Sequence, residues 1–269
     1  MPTHEAPAIA EIVAIARAAG DVVLDVYHSG SITAASKSDS SPLTDADLRA
    51  HHLIVSRLAG LQPALPVLSE EASELSYATR AAWSRYWLID PLDGTREFLS
   101  RNGEFTVNIA LIDGHRVVSG VVHVPVSGVT YWGSVGQGAW RAQAESEPSR
   151  IEVRPGLGAS IKVAGSRSHR GDSLDRFLGK IGPHDFVSMG SSLKFCLVAE
   201  GQADVYPRLG PTSEWDTAAA QAVVEAAGGA VLTLDGAPLR YNTKAGYLNP
   251  HFVAFGSRQR DWVALLRQQ

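Results

Sequence analysis

Two aspartates with a proline between them follow an apolar run in the segment 87–98, WLIDPLDGTREF. Pro91 disfavours a helical backbone at Asp90 and supplies no N–H, so we expect the strand to turn at this point. In a tight turn, the carboxylates of Asp90 and Asp93 and the carbonyl of Leu92 converge on one point. Such hard oxygen ligands suit Mg²⁺. The spacing therefore indicates a magnesium site at a strand end; the alternative is an acidic surface turn.

The next two residues, Gly94 and Thr95, are expected to open a helix. The unpaired N–H groups of a helix start bind phosphate, and glycine lets the backbone approach it closely. The stretch thus predicts a metal site and an anion site side by side. Haloacid-dehalogenase-type phosphatases carry a related motif, D-x-D-G-T, but here Pro91 and Leu92 separate the acids. That spacing removes the alternation that would place both carboxylates on one side of the loop.

Acids elsewhere in the chain are candidates to complete the metal shell. Glu70 and Glu71 end the strand-like run PVLS, as Asp90 ends YWLI, so Glu70 lies beside Asp90 if the two strands are neighbours. A solvated strand end is the alternative. Asp216, near the start of an alanine-rich helix, and Asp47, early in another helix, have helix capping or a helix-dipole contact as their alternatives.

Composition places the chain among ordinary soluble globular proteins, with 269 residues, 45% hydrophobic and 19% charged. A net charge of −4 argues against a nucleic-acid-binding surface over the whole molecule, although a local basic pocket remains compatible with it. No apolar run approaches the ~18 residues of a membrane helix. The single cysteine, Cys196, is expected to be a small buried hydrophobe in a reducing compartment. We expect a cytoplasmic location, with peripheral membrane association left open.

The first half of the chain is expected to form helices and then strands. Apolar spacing predicts an amphipathic helix over 5–28, and a Ser-rich loop or hairpin over 29–43. A helix over about 45–60 follows, capped by Thr44. Short strands are predicted at PVLSE and RYWLID, and a strand-rich region follows residue 103, with hairpin turns at Asp113-Gly114 and Ser127-Gly128.

Strands and helices alternate in the second half, which argues for an α/β layer. A polar, Pro/Gly-punctuated stretch over 144–160 marks a soft boundary between an α+β half, 1–150, and an α/β half, 151–269. The expected elements in chain order are strand IKVAG, a helix near 172–182, strand DFVSM, helix 191–201, strand DVY, helix 215–227 and strand AVLTL.

Taken together, the motifs SEE (69–71), DPLDGT (90–95) and WDTAAA (215–220) resemble the metal-dependent, lithium-sensitive phosphomonoesterases of the inositol monophosphatase superfamily. Longer segments, over 94–112, 189–220 and 248–252, are similar to its CysQ-type 3′(2′),5′-bisphosphate nucleotidase branch. The inositol-specific branch usually continues the motif as GTTNF, whereas this chain has Arg96-Glu97-Phe98; the CysQ type more often has Lys at position 96. The stretch 143–160 and the last dozen residues match no part of that pattern.

This resemblance implies a layered α-β-α-β-α sandwich and a set of site residues. It implies two or three Mg²⁺ ions, held by Glu70, Asp90, the Leu92 carbonyl, Asp93 and Asp216. It also implies that Asp47 and Thr95, with Glu70, are catalytic, the first two orienting and deprotonating the attacking water. Gly94 and Thr95 match the phosphate cradle.

The same resemblance implies where the substrate binds. Lys194 and Arg208 match positions that hold the nucleotide and its 5′-phosphate, Ser191 matches a contact to the adenosine, and His169 lies where a residue near the base is expected. For Lys194 and Arg208 the alternative is a surface side chain, and for His169 a solvated loop histidine. The predicted substrate-binding set is Glu70, Leu92, Asp93, Gly94, Thr95, His169, Ser191, Lys194, Arg208 and Asp216.

The implied activity is Mg²⁺-dependent hydrolysis of the 3′-phosphate of 3′-phosphoadenosine 5′-phosphate to AMP, with 3′-phosphoadenosine 5′-phosphosulfate as a second candidate substrate. An inositol-phosphate or sugar-phosphate phosphatase is the alternative enzyme, and a non-catalytic nucleotide sensor is the more remote alternative. The partner is a small molecule rather than a nucleic acid. Monomer and homodimer both stay open.

Overall fold

The structure is a computed structural model that describes residues 8–29, 34–36, 42–144, 146–166 and 172–267. The α-helices within these ranges are α1 Ile9–His28, α2 Asp45–Ala59, α3 Tyr77–Ala81, α4 Thr95–Leu99, α5 Asp172–Ile181, α6 Leu193–Ala199, α7 Ala218–Ala226 and α8 Trp262–Arg267. The strands are β1 Ala34–Ser36, β2 Pro42–Thr44, β3 Val67–Ser69, β4 Arg85–Asp93, β5 Thr106–Asp113, β6 Arg116–Val124, β7 Val129–Ser134, β8 Gly138–Gln143, β9 Ser149–Ile151, β10 Ile161–Gly165, β11 His184–Ser188, β12 Val205–Arg208, β13 Ala230–Thr233 and β14 Phe252–Phe255.

A seven-stranded sheet contains β3 to β9 in sequence order. Strand β3 is parallel to β4, and the remaining neighbours are antiparallel. Side chains alternate between the two faces of a strand, and both faces of this sheet are buried. On β4, Trp87 and Ile89 pack on the face covered by α1 and α2, whereas Tyr86 and Leu88 pack on the face covered by α6 and α7.

A five-stranded sheet follows, with the strand order β11-β10-β12-β14-β13. Its inner face shares an apolar core with α6 and α7, and includes Tyr206 and Phe252. Its outer face packs against α5 and α8 through Val163, Phe177 and Trp262. The layers are therefore helix, sheet, helix, sheet, helix, and the predicted α-β-α-β-α sandwich is confirmed.

Helix α7 lies very close to the seven-stranded sheet because β6 carries Gly120 at the contact. A Cβ atom on Gly120 would lie 2.3 Å from the backbone oxygen of Ala219. Glycine is the residue that permits such a close approach of two backbones. This contact sets the position of the helix that follows Asp216.

Most predicted elements are present, with shifted ends. IKVAG forms β10, the predicted hairpin turns connect β5 to β6 and β6 to β7, and the hairpin alternative for 29–43 is seen in the antiparallel pair β1 and β2, as far as these residues are described. The predicted 5–28 helix begins at Ile9 in the described part of the chain. Cys196 is buried, as predicted. The division into halves at residue 150 stays a prediction.

Other predictions of local structure were wrong in detail. Strand β4 continues through Pro91 to Asp93, because beyond a register shift Asp93 pairs with Thr106. The helix predicted over 215–227 begins only at Ala218, since 215–217 form a turn. Within the described ranges, five α-helices and strands were not predicted: α3, α8, β8, β9 and β14, the last of which lies between β12 and β13.

No helix within the described ranges has both the length and the apolar character needed to cross a membrane. The cytoplasmic location stays a prediction.

Candidate active site

Three carboxylates converge at the ends of β3 and β4. Because these strands are parallel and Ser69 pairs with Ile89, the next residues, Glu70 and Asp90, emerge at the same sheet edge. Asp216 reaches this point from the turn before α7. One carboxylate oxygen from each of Glu70, Asp90 and Asp216 lies within 4.8 Å of the others, and Asp90 is 1% exposed. Such a set of hard oxygen donors fits Mg²⁺.

The turn through DPLDGT orients the backbone around these acids. The Leu92 N–H donates to Asp90 Oδ1 at 3.0 Å, and the Thr95 hydroxyl lies 3.5 Å from the Leu92 carbonyl oxygen. Gly94 has a φ of 91°, which glycine adopts without strain. The predicted helix start at Thr95 is confirmed, and Gly94 lines the cavity described below.

Asp93 contacts a different part of the molecule from Asp90. Its Oδ2 accepts hydrogen bonds from the Ser192 N–H at 2.6 Å and from Asn108 Nδ2 at 3.3 Å. Thus Asp93 joins the end of β4 to the start of α6. It lines a cavity that Asp216 also lines, so the two acids lie on the same opening.

The acids repel one another in this arrangement. Burial raises the pKa of Asp93, and the nearby Glu70 and Glu97 raise it further, while Lys194 opposes the shift. Burial and the charges of Asp93 and Glu70 raise the pKa of Asp216 well above its ordinary value. A divalent cation beside the carboxylates would favour their charged forms.

Two cations line the same cavity. Lys194 is buried, and its Nζ donates to the backbone oxygens of Ser191 and Met189. The pKa of Lys194 is lowered to about 8, chiefly by burial; Asp93 opposes this shift, and the nearby charge of Arg208 contributes to it. The Arg208 guanidinium donates to the Thr212 hydroxyl and the Pro211 carbonyl. Two cations that line the same cavity make a region suited to an anion.

Asp47 lies in the first turn of α2 and is buried. Its Oδ2 accepts hydrogen bonds from the Thr44 N–H at 2.8 Å and from the Thr44 hydroxyl at 2.6 Å. The predicted cap is therefore present, with Asp47 as its partner. Helix α4 packs beside β2, which ends at Thr44, the residue whose N–H and hydroxyl donate to Asp47. The role of Asp47 and Thr95 on a water molecule stays a prediction.

Ser191 lines the cavity and has a φ of 42°, unusual for a serine. A Cβ atom on Gly94 would lie 3.3 Å from Ser191 Cβ, so the start of α4 faces the loop before α6 closely. Of the predicted substrate contacts, Asp93, Gly94, Ser191, Lys194, Arg208 and Asp216 line this cavity. His169 lies outside the described residues.

Several residues that the sequence reasoning did not single out also belong here. Glu97, Ser166, Tyr206 and Thr212 line the cavity. A second cavity shares Ser166, Tyr206 and Arg208 with the first and extends along 207–211. Three of these four residues, all but Ser166, fall within the segments 94–112 and 189–220 that carry the family resemblance, which is the signal that could have identified them.

Residues 5–265 match the inositol monophosphatase family. The chain belongs to this family. The 3′(2′),5′-bisphosphate nucleotidase CysQ of Escherichia coli (strain K12) is 47% identical over 243 residues, which are 90% of this chain and 97% of that protein. The predicted family is confirmed.

Solved structures of family members share the fold. The crystal structure of CysQ from Bacteroides thetaiotaomicron is 39% identical, with a TM-score of 0.81 and coverage of 94% of this chain and 97% of that one. The inositol monophosphatase from Anabaena (Nostoc) sp. PCC 7120 is 24% identical, with a TM-score of 0.73 and coverage of 97% and 94%. At 24% identity, the similarity to the Anabaena protein shows a shared fold only.

Proposed function

We propose that this inositol monophosphatase family member hydrolyses the 3′-phosphate of 3′-phosphoadenosine 5′-phosphate, giving AMP and phosphate, with 3′-phosphoadenosine 5′-phosphosulfate as a second substrate. The observation that supports this proposal most directly is that Glu70, Asp90 and Asp216 converge beside a cavity lined by Lys194 and Arg208. The carboxylates suit a metal ion, and the cations suit further substrate charge. The Escherichia coli relative is named a 3′(2′),5′-bisphosphate nucleotidase, which agrees with a site that combines a metal ion with an anionic substrate.

Magnesium is the cofactor that fits these donors, and Glu70, Asp90, the Leu92 carbonyl, Asp93 and Asp216 would hold two or three ions. When bound, Mg²⁺ lowers the pKa of water and neutralises charge on the phosphate oxygens and the leaving oxygen.

Residues of the chain perform the remaining steps. Thr95 and Asp47 orient the attacking water and take up its proton. The backbone N–H groups at Gly94 and Thr95 orient the phosphate. As the water oxygen bonds to phosphorus, the bond from phosphorus to the 3′-oxygen breaks, and this oxygen gains a proton from solvent. No covalent intermediate with the protein is required.

Lys194 and Arg208 hold the part of the substrate remote from the reacting phosphate. Arg208 lies at the boundary of two adjoining cavities, which suits a 5′-phosphate flanked by the nucleoside. Ser191 contacts the adenosine, and His169 is assigned to the base by family resemblance alone.

The test is phosphate release measured side by side from 3′-phosphoadenosine 5′-phosphate, 3′-AMP, inositol 1-phosphate and a sugar phosphate, with Mg²⁺ and with EDTA. We expect Mg²⁺-dependent release with the highest kcat/KM for the bisphosphate, and selective inhibition by LiCl relative to KCl. Preference for inositol 1-phosphate would overturn the substrate assignment. Nucleotide binding without release from any substrate at saturating Mg²⁺ would favour the sensor alternative.

A further inference from the structure

Arg80 is a fully buried cation outside the cavity, with 0% of its surface exposed. It lies in α3, and its guanidinium sits 4.9 Å from the ring centre of Tyr77 and 4.4 Å from that of Tyr247. Its Nη1 donates to Asn242 Oδ1, and Asn242 Nδ2 donates back to the Arg80 carbonyl at 2.7 Å. Its Nη2 donates to the carbonyls of residues 244 and 245. Arg80 thus organises the segment 241–249.

The 241–249 segment in turn holds the loop that carries Asp216. The Asn242 N–H donates to Glu214 Oε2 at 2.8 Å, and the Glu214 N–H donates to the Tyr247 carbonyl at 2.9 Å. Asn249 Nδ2 donates to the Ser213 carbonyl at 2.8 Å. The Ser213 N–H donates to Asp216 Oδ2, also at 2.8 Å. Hydrogen bonds, joined by short stretches of backbone at 213–214 and 247–249, therefore connect Arg80 to the Asp216 carboxylate.

The same segment also contacts the loop that carries Glu70. The Tyr247 hydroxyl donates to the Ser73 carbonyl, just after the 3₁₀ turn Glu70–Ala72. Arg80 itself follows this loop in the chain. The 241–249 segment therefore links the loops that carry Glu70 and Asp216, two carboxylates that repel each other. Arg80 contacts this segment at Asn242, at the carbonyls of residues 244 and 245, and at the ring of Tyr247.

We propose that Arg80 is a positioning residue for the metal carboxylates: through the 241–249 segment it sets the place of Asp216 relative to Glu70 and Asp90, and with it the affinity for Mg²⁺. This inference rests on the proposed function, because it takes these carboxylates as Mg²⁺ ligands. The planar guanidinium offers a fixed fork of donors that a lysine ammonium lacks. Groups that orient metal ligands commonly change metal affinity by about 10- to 100-fold when they are replaced.

The test uses the full chain with Arg80→Lys and Asn242→Gly, separately and together. Asn242 has a φ of 55°, which glycine adopts readily, so Asn242→Gly removes the amide contact to Arg80 while keeping the N–H that donates to Glu214. Arg154→Lys is the matched control, because Arg154 forms a partly buried ion pair with Asp204 at 3.1 Å and contacts neither the 241–249 segment nor the Glu70, Asp90 and Asp216 cluster in the interactions described above. The readouts are Mg²⁺ binding by calorimetry, the shift in Tm on adding Mg²⁺, and kcat and KM at saturating Mg²⁺.

We expect Arg80→Lys and Asn242→Gly each to weaken Mg²⁺ binding by about 10-fold and to reduce the Mg²⁺-induced rise in Tm, with KM for the nucleotide unchanged. The double variant should be little worse than Arg80→Lys alone, since that substitution already removes the side-chain contact that Asn242→Gly removes. Arg154→Lys should lower Tm and retain wild-type Mg²⁺ affinity.

Wild-type Mg²⁺ affinity in both test variants, with only a lower Tm, would overturn the positioning role and leave the proposed function intact. Absence of Mg²⁺ binding by the wild-type chain would overturn the metal assignment and this inference with it. If Arg80→Lys does not fold, Asn242→Gly decides the outcome, because its backbone conformation is preserved.

Discussion

The acidic side of the site, formed by Glu70, Asp90, Asp93 and Asp216, differs in construction from its basic side, formed by Lys194 and Arg208. Glu70, Asp90 and Asp93 come from the ends of paired strands, where backbone hydrogen bonds fix their positions. The basic residues come from a helix start and the end of β12, and are held by loop carbonyls and a hydroxyl. The difference suggests a division of labour: chemistry on the side placed mainly by strand ends, and recognition on the side whose side chains bond to loop carbonyls and a hydroxyl.

Electrostatics separates the two sides in the same way. Burial raises the pKa values of Asp93 and Asp216, whereas it lowers the pKa of Lys194 to about 8. A metal cation would therefore stabilise the charged carboxylates of the acidic side, and a substrate anion would stabilise the charged lysine of the basic side.

The largest expected effect belongs to the acidic side. Asp216→Asn and Asp93→Asn should each lower kcat by roughly 10²-fold or more, because preorganised charge at the reacting phosphate is lost. Steady-state phosphate release at saturating Mg²⁺ measures this. Asp113→Asn, at an exposed hairpin acid, is the control. Near-wild-type turnover in either variant would remove that residue from the site.

On the basic side, Arg208→Ala should discriminate between substrates. A charge-assisted contact is worth about 1.5–3 kcal/mol, or roughly 10- to 150-fold in kcat/KM. We expect that loss with 3′-phosphoadenosine 5′-phosphate and a much smaller one with 3′-AMP, which lacks the 5′-phosphate. The exposed Arg150 provides a control as Arg150→Ala. Equal losses with both substrates would mean that Arg208 supports the fold or the shared chemistry, and would end the division of labour.

Gly120→Ala tests the contact between the seven-stranded sheet and α7, the helix that follows Asp216 on the acidic side. The added methyl group would meet the Ala219 backbone, 2.3 Å away, so α7 and the adjoining Asp216 turn must shift. Overpacking of this kind costs about 1–3 kcal/mol. Chemical denaturation should show that loss of unfolding free energy, together with weaker Mg²⁺ binding. Gly114→Ala, in a hairpin turn, serves as a control for a glycine with no atom near its Cβ position, although its positive φ adds strain of its own. Unchanged stability of Gly120→Ala would mean that the helix–sheet contact is looser than described.

The smallest expected effect is a pH dependence of stability that arises away from the site. His123 is buried in the seven-stranded sheet and hydrogen-bonded to the Thr130 hydroxyl at 2.9 Å. Burial and the nearby Arg17 lower its pKa to about 4. The unfolded chain therefore binds a proton below about pH 6.5 while the folded chain stays neutral at His123, so stability is lost as the pH falls through this window.

For this group the loss between pH 7 and pH 5.5 is about 1 kcal/mol of unfolding free energy. Denaturation in EDTA at several pH values measures it. His123→Gln should flatten this part of the pH dependence, and His251→Gln, at an exposed histidine, should not. An unchanged slope in His123→Gln would assign the effect to other groups, including the clustered acids.

Local patterns in the sequence were sufficient for most individual parts of the acidic side. The apolar run before Asp90 and the glycine at 94 predicted a strand and a helix start, because each depends on backbone preferences of nearby residues. The strand end predicted at Pro91 was wrong, because pairing with Thr106 continues β4 to Asp93. The Thr44 cap of α2 and the alternation of strands and helices after residue 160 were predictable for the same reason. These signals, together with the family resemblance, also identified the candidate ligands.

Tertiary structure alone decided how the parts meet. Four features join residues that are distant in the chain. Asp216 meets Glu70, Lys194 lies near Asp93, β14 lies inside the second sheet, and Arg80 contacts the 241–249 segment. Such contacts depend on strand order and on how helices pack between two sheets, as at Gly120 and α7. A local sequence pattern carries no information on those distances, because the same pattern is compatible with many arrangements of its neighbours.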